Sequence, residues 1–260
     1  MNVLVCDTSS QALTTGLFTD TFKEVRTLQG RTVQHSERLV PTVIELCNDA
    51  RIDTKDIDLL VCTRGPGSFT GLRIGMAAFK GMAFALGKPI VSVSTLETYA
   101  SCVGCIGAFE GAVVPVIDAK KQRWYLAAFA KSNNRSNDGE SLSRLIPDTD
   151  GTEADLVGAL SPYCNVLVTG PDAQAFAGML TISQCFKDKH IFVDTKANEA
   201  IATTLYELGI KQYETNGADD IGQGPVYLRK SDAEIALEEK LTKTMSSLRY
   251  TFPIRFPIVV

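Results

Sequence analysis

The sequence predicts an α/β fold made of two related lobes, and three observations carry that expectation. The first hundred residues alternate short apolar runs with helical patterns in the order β-β-β-α-β-α-β-α. The second half repeats landmarks of the first half in the same order. The composition, 45% hydrophobic and 22% charged over 260 residues, suits a chain with a packed core and excludes a disordered one. With about 150 residues per domain, the chain makes one large domain or two small ones. We divide it into a lobe at 1–105, a lobe at 106–230 and a tail at 231–260 of unassigned role.

The apolar run 2–6, stopped by Asp7-Thr8-Ser9-Ser10, reads as a buried strand. Residues 11–18 and 21–28 are rich in Thr, Val, Leu and Phe and flank Thr19-Asp20, which predicts an antiparallel hairpin. Ser36 is placed to cap a helix over 37–50. Its apolar residues, among them Leu39, Val40, Val43, Ile44 and Leu46, span more than the ~100° stripe of a one-sided surface helix, so it packs on two neighbours. A strand over 58–63 leads into the glycine-rich turn 64–71 and a long helix to about Leu86, stopped by Gly87-Lys88-Pro89. The strand 90–94 and a short helix from Thr95 complete the first unit.

The repeat is visible in residues. Val5-Cys6-Asp7 matches Val116-Ile117-Asp118, and Gln11 and Phe18 match Gln122 and Phe129, all at an offset of 111. Leu60-Val61-Cys62-Thr63 before Gly65-Pro66 resembles Val166-Leu167-Val168-Thr169 before Gly170-Pro171, the glycines lying 105 apart. One change of loop length accounts for the difference. Further along we expect a strand at 123–130, a loop at 132–138, helices over 152–160, 172–180 and 198–209, and a short strand or turn at 225–229. The tail reads as a charged helix over 231–245 followed by an apolar, basic end with two prolines.

Charge and residue counts remove several function classes. A net charge of −4 argues against a chain that grips nucleic acid by itself. Two histidines, His35 and His190, lie far apart, so no mechanism can use a histidine pair on one helix turn. Seven cysteines scattered through apolar runs do not make a secreted disulfide framework. Cys102 and Cys105 form a lone CxxC without the second pair of a zinc ribbon, and are read as structural or incidental thiols. The N-terminal run is too short for a signal peptide and no stretch has membrane-spanning length, so a cytoplasmic location is expected.

The strongest local signal is Gly65-Pro66-Gly67-Ser68-Phe69-Thr70-Gly71-Leu72-Arg73-Ile74-Gly75, between a strand and a helix. Glycines allow close backbone approach, and a helix N-terminus attracts anions. Asp7, Thr8, Ser9, Gly65, Gly67 and Ser68 are therefore the candidate residues facing a nucleotide or phosphate. The stretch fits neither the Walker A nor the dinucleotide pattern, and a tight turn without a ligand remains open. Along the following helix Gly71, Gly75, Ala78 and Ala85 recur at helical spacing. Either these residues pack inside the chain, or the two helices form a surface for another protein. On the second reading the interface residues are Leu39, Val43, Leu46, Leu72, Gly75, Met76 and Phe79. No catalytic residue and no metal ligand is assigned.

At this point the residues resemble the TsaB (YeaZ) family, smaller relatives of the tRNA threonylcarbamoyladenosine synthase TsaD. The resemblance rests on Asp7-Thr8-Ser9, His35-Ser36, the glycine-rich stretch with Arg73, Ser94-Thr95-Leu96-Glu97 and Tyr227-Leu228-Arg229. It covers about residues 1–230. It implies two actin-like (ASKHA, ribonuclease-H-like) lobes and a non-catalytic scaffold that binds TsaD through the two helices named above. It also implies joint work with TsaE, an ATPase, and with TsaC, in placing threonylcarbamoyl on the adenosine next to the anticodon of tRNAs reading codons that begin with A. The catalytic relative holds a metal with a His-x-x-x-His pair that this sequence lacks, which also undermines the family's old glycoprotease label. The expectations are then no cofactor required by this chain, ATP or ADP at most at the interface of the assembled complex, tRNA reached only through the complex, no membrane, and either a monomer or a homodimer when alone. The competing class is an actin-like small-molecule kinase or ATPase that uses the glycine-rich turn.

Overall fold

The apolar runs become the central strands of two sheets. The structure, a computed structural model, describes residues 1–30, 34–102, 109–131 and 142–229. Met1–Leu228 form one compact unit; Arg229–Val260 form a second, of which Arg229 alone is described. The expected loop at 132–138, the tail helix over 231–245 and Cys105 lie outside the described residues.

The first sheet contains β1 (Val3–Asp7), β2 (Leu13–Phe18), β3 (Lys23–Leu28), β4 (Leu59–Gly65) and β5 (Ile90–Ser94) in the order β3-β2-β1-β4-β5. β1 pairs antiparallel with β2 and parallel with β4. Its side chains alternate between two buried faces, as the two-residue period of a strand requires. Leu4 and Cys6 join Leu60, Cys62 and the helices α1 (His35–Ala50) and α2 (Phe69–Leu86) in one core. Val3 and Val5 join Val61, Val91 and α6 (Ala197–Asn216) in another. Arg26 on β3 reaches Glu24, Glu45 and Asp49, which ties the hairpin to α1.

The second sheet repeats this plan. Its strands are β6 (Ala112–Asp118), β7 (Trp124–Lys131), β8 (Leu142–Gly151), β9 (Asn165–Thr169) and β10 (His190–Val193). Their order β10-β9-β6-β7-β8, with β6 antiparallel to β7 and parallel to β9, is the first sheet's order and sense. The short α4 (Val157–Leu160) and α5 (Ala173–Ile182) cover one face, with Trp124 against Phe176 at 5.0 Å. The two Gly-Pro turns also agree, with φ of +107° at Gly65 and +102° at Gly170. One residue distinguishes them: β4 carries an irregularity between Thr63 and Gly65, where Arg64 is the extra residue.

The helices that end each unit fill the space between the sheets. α3 (Thr95–Ser101) follows the first sheet but packs on the second, where Leu96 and Tyr99 meet Val113, Ile117 and Phe129. α6 follows the second sheet and returns to the first, where Ala202 and Leu205 meet Val3, Val5 and Val61. At Gly209 a Cβ would stand 2.5 Å from Val61, so glycine lets α6 lie close on β4. Beyond α6 the chain runs back over the first sheet. Asp219 accepts from Ser92 N at 2.7 Å, Lys80 donates to Ile221 O at 2.7 Å, and Val226 N donates to Arg64 O at 2.7 Å.

Several local expectations change. Ser36 does not cap α1; the helix starts at His35, and Gln34 O accepts from Glu37 N and Arg38 N, so Ser36 lies within the first turn. The helix expected over 152–160 is a 3₁₀ turn at Glu153–Leu156 followed by a single α-turn. α6 does not stop at Gly209, because that glycine is an internal contact with Val61 and not a terminus. Residues 225–229 form no strand: 225–227 are irregular, 228–229 make a bend, and all lie outside the ladders of both sheets. β8 and β10 match no element expected from the sequence. β8 is half exposed and carries Pro147 and two aspartates, and β10 has four residues. Among the described residues no helix is long and apolar enough to cross a membrane.

Candidate functional site

Two features face outward from this frame: a cleft between the sheets, and the uncovered side of α1 and α2. The cleft has a volume of about 1090 Å³. From the first half it is lined by Ser9, Ser10, His35 and the N-terminal turn of α2, and from the second by Asp118, Lys120, Tyr125, Asp172 and Asn198. Residues after matching strands meet here because the two sheets repeat one plan, and ligand sites gather at such strand ends.

Of the six residues assigned to a phosphate, only Ser9, Gly67 and Ser68 line the cleft. Asp7 is buried, and its carboxylate accepts from Ser9 N at 3.0 Å and Thr63 Oγ1 at 2.8 Å. Burial lifts the Asp7 carboxyl above the usual aspartate range, against hydrogen bonds from Ser9 and Thr63 and the nearby His35. Thr8 is buried under α2, and a Cβ on Gly65 would stand 2.6 Å from Val226 O.

The glycines of the turn serve the chain's own packing. A Cβ at Gly67 would lie 2.5 Å from Ser9 O, one at Gly71 2.0 Å from Thr8 O, and one at Gly75 2.3 Å from Thr8 Oγ1. Ser68 N donates to Ser9 O at 2.6 Å, and Gly71 N to Ser68 Oγ at 3.2 Å. The β1–β2 turn thus fills the cradle that an anion would need. Thr8 and Ser9 take the space that these glycines leave without a Cβ, while Gly67, Ser68 and Gly71 also line the cleft.

The second half is also satisfied from within. Asp118 accepts from Lys120 N and Lys120 Nζ, each at 2.7 Å. Burial opposes its ionisation, but these bonds hold Asp118 below the usual aspartate range and raise Lys120 in turn. Asp172 accepts from Asp118 N at 2.8 Å. Lys120, Lys121 and Gln122 all have φ near +60°, a left-handed turn of three non-glycine residues at the cleft mouth. Among the described residues no three His, Cys, Asp or Glu side chains come together to hold a metal ion. The thiols of Cys62 and Cys102 are pushed up to about 12 by burial, which makes them unreactive.

The assigned interface residues need correction. Leu39, Val43, Leu46, Met76 and Phe79 are core residues between α1, α2 and the first sheet, and Leu72 is buried beside Gly65. Gly75 faces Thr8. The side turned to solvent carries Val40 and Ile44 on α1, 44% and 48% exposed, and Phe84 on α2, 83% exposed. Ala77 and Gly81 lie on the exposed side of α2, and nothing stands within 4 Å of a Cβ at Gly81. The sequence held the signal for this, since Val40 and Ile44, and Ala77 and Gly81, are four apart. It did not say which apolar arc turns outward.

The residues of the resemblance are dispersed. His35 stands at the cleft with Nε2 3.4 Å from Gln11 O, and Ser36 beside it is exposed. Arg73 and Tyr227 meet across the chain, Arg73 Nε donating to Tyr227 Oη at 2.9 Å. Arg229 falls in the second unit.

Comparisons with known proteins agree on one lineage. A family model for TsaD, tRNA N6-adenosine threonylcarbamoyltransferase, matches residues 31–237. A tRNA threonylcarbamoyladenosine biosynthesis protein TsaB of Bacillus subtilis is 30% identical over 90% of this chain and 96% of its own. One of Haemophilus influenzae is 31% identical over 88% and 94%. These relatives are named as biosynthesis proteins. The solved structure of YeaZ from Pseudomonas aeruginosa matches the fold with a TM-score of 0.63 at 23% identity, covering 87% of this chain and 99% of that one.

Two outcomes test this geometry. Asp7→Asn keeps an oxygen to accept from Ser9 and Thr63 but cannot ionise. The folded wild type holds the Asp7 proton to higher pH than the unfolded chain. The native state therefore binds more protons from about pH 4 upward, and wild-type stability falls as pH rises through that window. The melting temperature of Asp7→Asn relative to wild type should rise over the same range; a constant difference would refute the assignment. Gly71→Ala should cost at least about 2 kcal/mol in chemical denaturation, because its methyl group overlaps Thr8 O.

Proposed function

The chain belongs to the TsaB (YeaZ) family and serves tRNA threonylcarbamoyladenosine biosynthesis, and we propose that it does so as a non-catalytic scaffold that binds TsaD through α1 and α2. The observation that carries this reading is the exposed apolar side of those helices: Val40 and Ile44 on α1, and Phe84 with the small residues Ala77 and Gly81 on α2. Small residues on an exposed helix let a second helix come close, and large apolar neighbours gain from leaving water. The same surface can hold a second copy of the chain when the partner is absent.

The division of labour follows from the side chains. A histidine pair for metal-assisted transfer does not exist in this sequence, so transfer belongs to TsaD, and TsaE and TsaC act with the assembled complex. With a net charge of −4 this chain meets tRNA only through its partners. It works in the cytoplasm. This reading requires no nucleotide of the chain itself, and places ATP or ADP, where one is bound, at the interface of the complex. The kinase reading is the weaker one, because Thr8 and Ser9 fill the glycine cradle.

Gly81→Arg tests the interface without touching the core, since the position is open and arginine favours a helix by up to about 1 kcal/mol over glycine. Its melting temperature should equal or exceed the wild type's, and sedimentation with purified TsaD should show association lost. Retained association would refute the interface. Titration calorimetry of the isolated chain with ATP should give no tight binding; a micromolar constant would favour the kinase.

A further inference from the structure

One cationic group on the outer side of α2 is held ready and left unused. The Arg73 guanidinium lies over the Phe69 ring at 3.9 Å and within 5.6 Å of the Tyr227 ring. The two rings pack at 4.6 Å with an angle of 34°. Tyr227 Oη takes the Nε hydrogen of Arg73 at 2.9 Å. Stacking and that bond fix the plane and rotation of the group, so little rotamer freedom remains to be lost on binding. The two terminal nitrogens have no hydrogen-bond or ion-pair partner among the described residues, and Arg73 is exposed.

The position of this fork identifies what it meets. Arg73, Ala77 and Gly81 are spaced by four residues, so the guanidinium stands at one end of the uncovered small-residue side of α2. Lys80, the other cation of the helix, is occupied by the carbonyls of Ile221 and Gln223. Beyond Arg73 the surface continues as uncharged Ala77 and Gly81, which suits close approach of a protein and supplies no further cations for a polyanion.

We infer that Arg73 is the polar anchor of the α1–α2 interface and takes a carboxylate side chain of the partner subunit in a two-bond fork. A planar carboxylate matches the paired N–H groups, and an anchor desolvated at the edge of an apolar interface sets the register of docking. Phe69 and Tyr227 are positioning residues that act through Arg73. The segment after α6 brings Tyr227 to this place, which gives that return over the first sheet a role in recognition. The inference rests on the α1–α2 reading of the preceding section.

The test uses the full chain and purified TsaD, with dissociation constants measured between about 50 and 300 mM salt. Arg73→Gln should weaken association about tenfold to a hundredfold and make it less sensitive to salt. Arg73→Lys keeps the charge and loses the fork, and should remain at least several-fold weak at an unchanged melting temperature. Tyr227→Phe should weaken association less than Arg73→Gln and keep the wild-type salt slope, since the fork survives. Should Arg73→Gln and Arg73→Lys bind as tightly as wild type while Gly81→Arg abolishes association, the anchor is wrong and the interface stands. Should none of the three weaken association, both fall. Normal association of Arg73→Gln with loss of tRNA retention by the complex would assign the fork to phosphate and overturn the proposal.

Discussion

The seat of α2 on the β1–β2 turn is the contact on which the rest of the molecule depends. Three glycines, 67, 71 and 75, bring the backbone of the turn and helix against Thr8 and Ser9 at distances that leave no room for a methyl group. That approach fixes the rotation of α2 about its axis. Met76, Phe79 and Ala83 then face the first sheet and α1 and Leu72 is buried, while Arg73, Ala77, Gly81 and Phe84 face water. It also buries Asp7 beneath the turn, where Thr63 and Ser9 satisfy its carboxylate. A motif that reads as an anion cradle is in this chain a packing device, and the closing of the cradle and the opening of the outer face are the same event.

A second constraint joins the two sheets. Each sheet is apolar on both faces, so each needs a helix layer on both sides. α1 and α2 cover one outer face and α4 and α5 the other, and the inner faces are served by α3 and α6, each packed on the sheet of the other half. The cores therefore interlock. Such a body presents a helical side at a constant angle, which is what a scaffold must do. The acidic balance of the chain fits a protein that meets RNA through a partner, in the role proposed for it.

Much of the fold was legible because it follows from local pattern. The strands β1, β4 and β9 are built on unbroken apolar runs, and the Gly-Pro pairs after β4 and β9 mark the duplication in the sequence itself. The strands that escaped reading were the half-exposed β8 and the four-residue β10, where polar residues and shortness erase the signal. The site was less legible. Asp7 and Gly75 were noticed, yet both are buried, since a residue suited to a ligand is equally suited to a tight internal contact. The partnership of Arg73 with Tyr227 spans 154 residues, and no periodicity reports a contact of that separation.

By itself, then, the sequence determined the order of elements in the first hundred residues, the duplication, the family and the absence of a histidine pair, because each is a property of neighbours along the chain or of composition. The tertiary structure alone decided which arc of α2 turns outward, that Thr8 and Ser9 occupy the glycine cradle, and that Tyr227 returns to hold Arg73. These depend on which apolar surface wins the contact when several helices compete for one sheet, and that competition is settled only by packing in three dimensions.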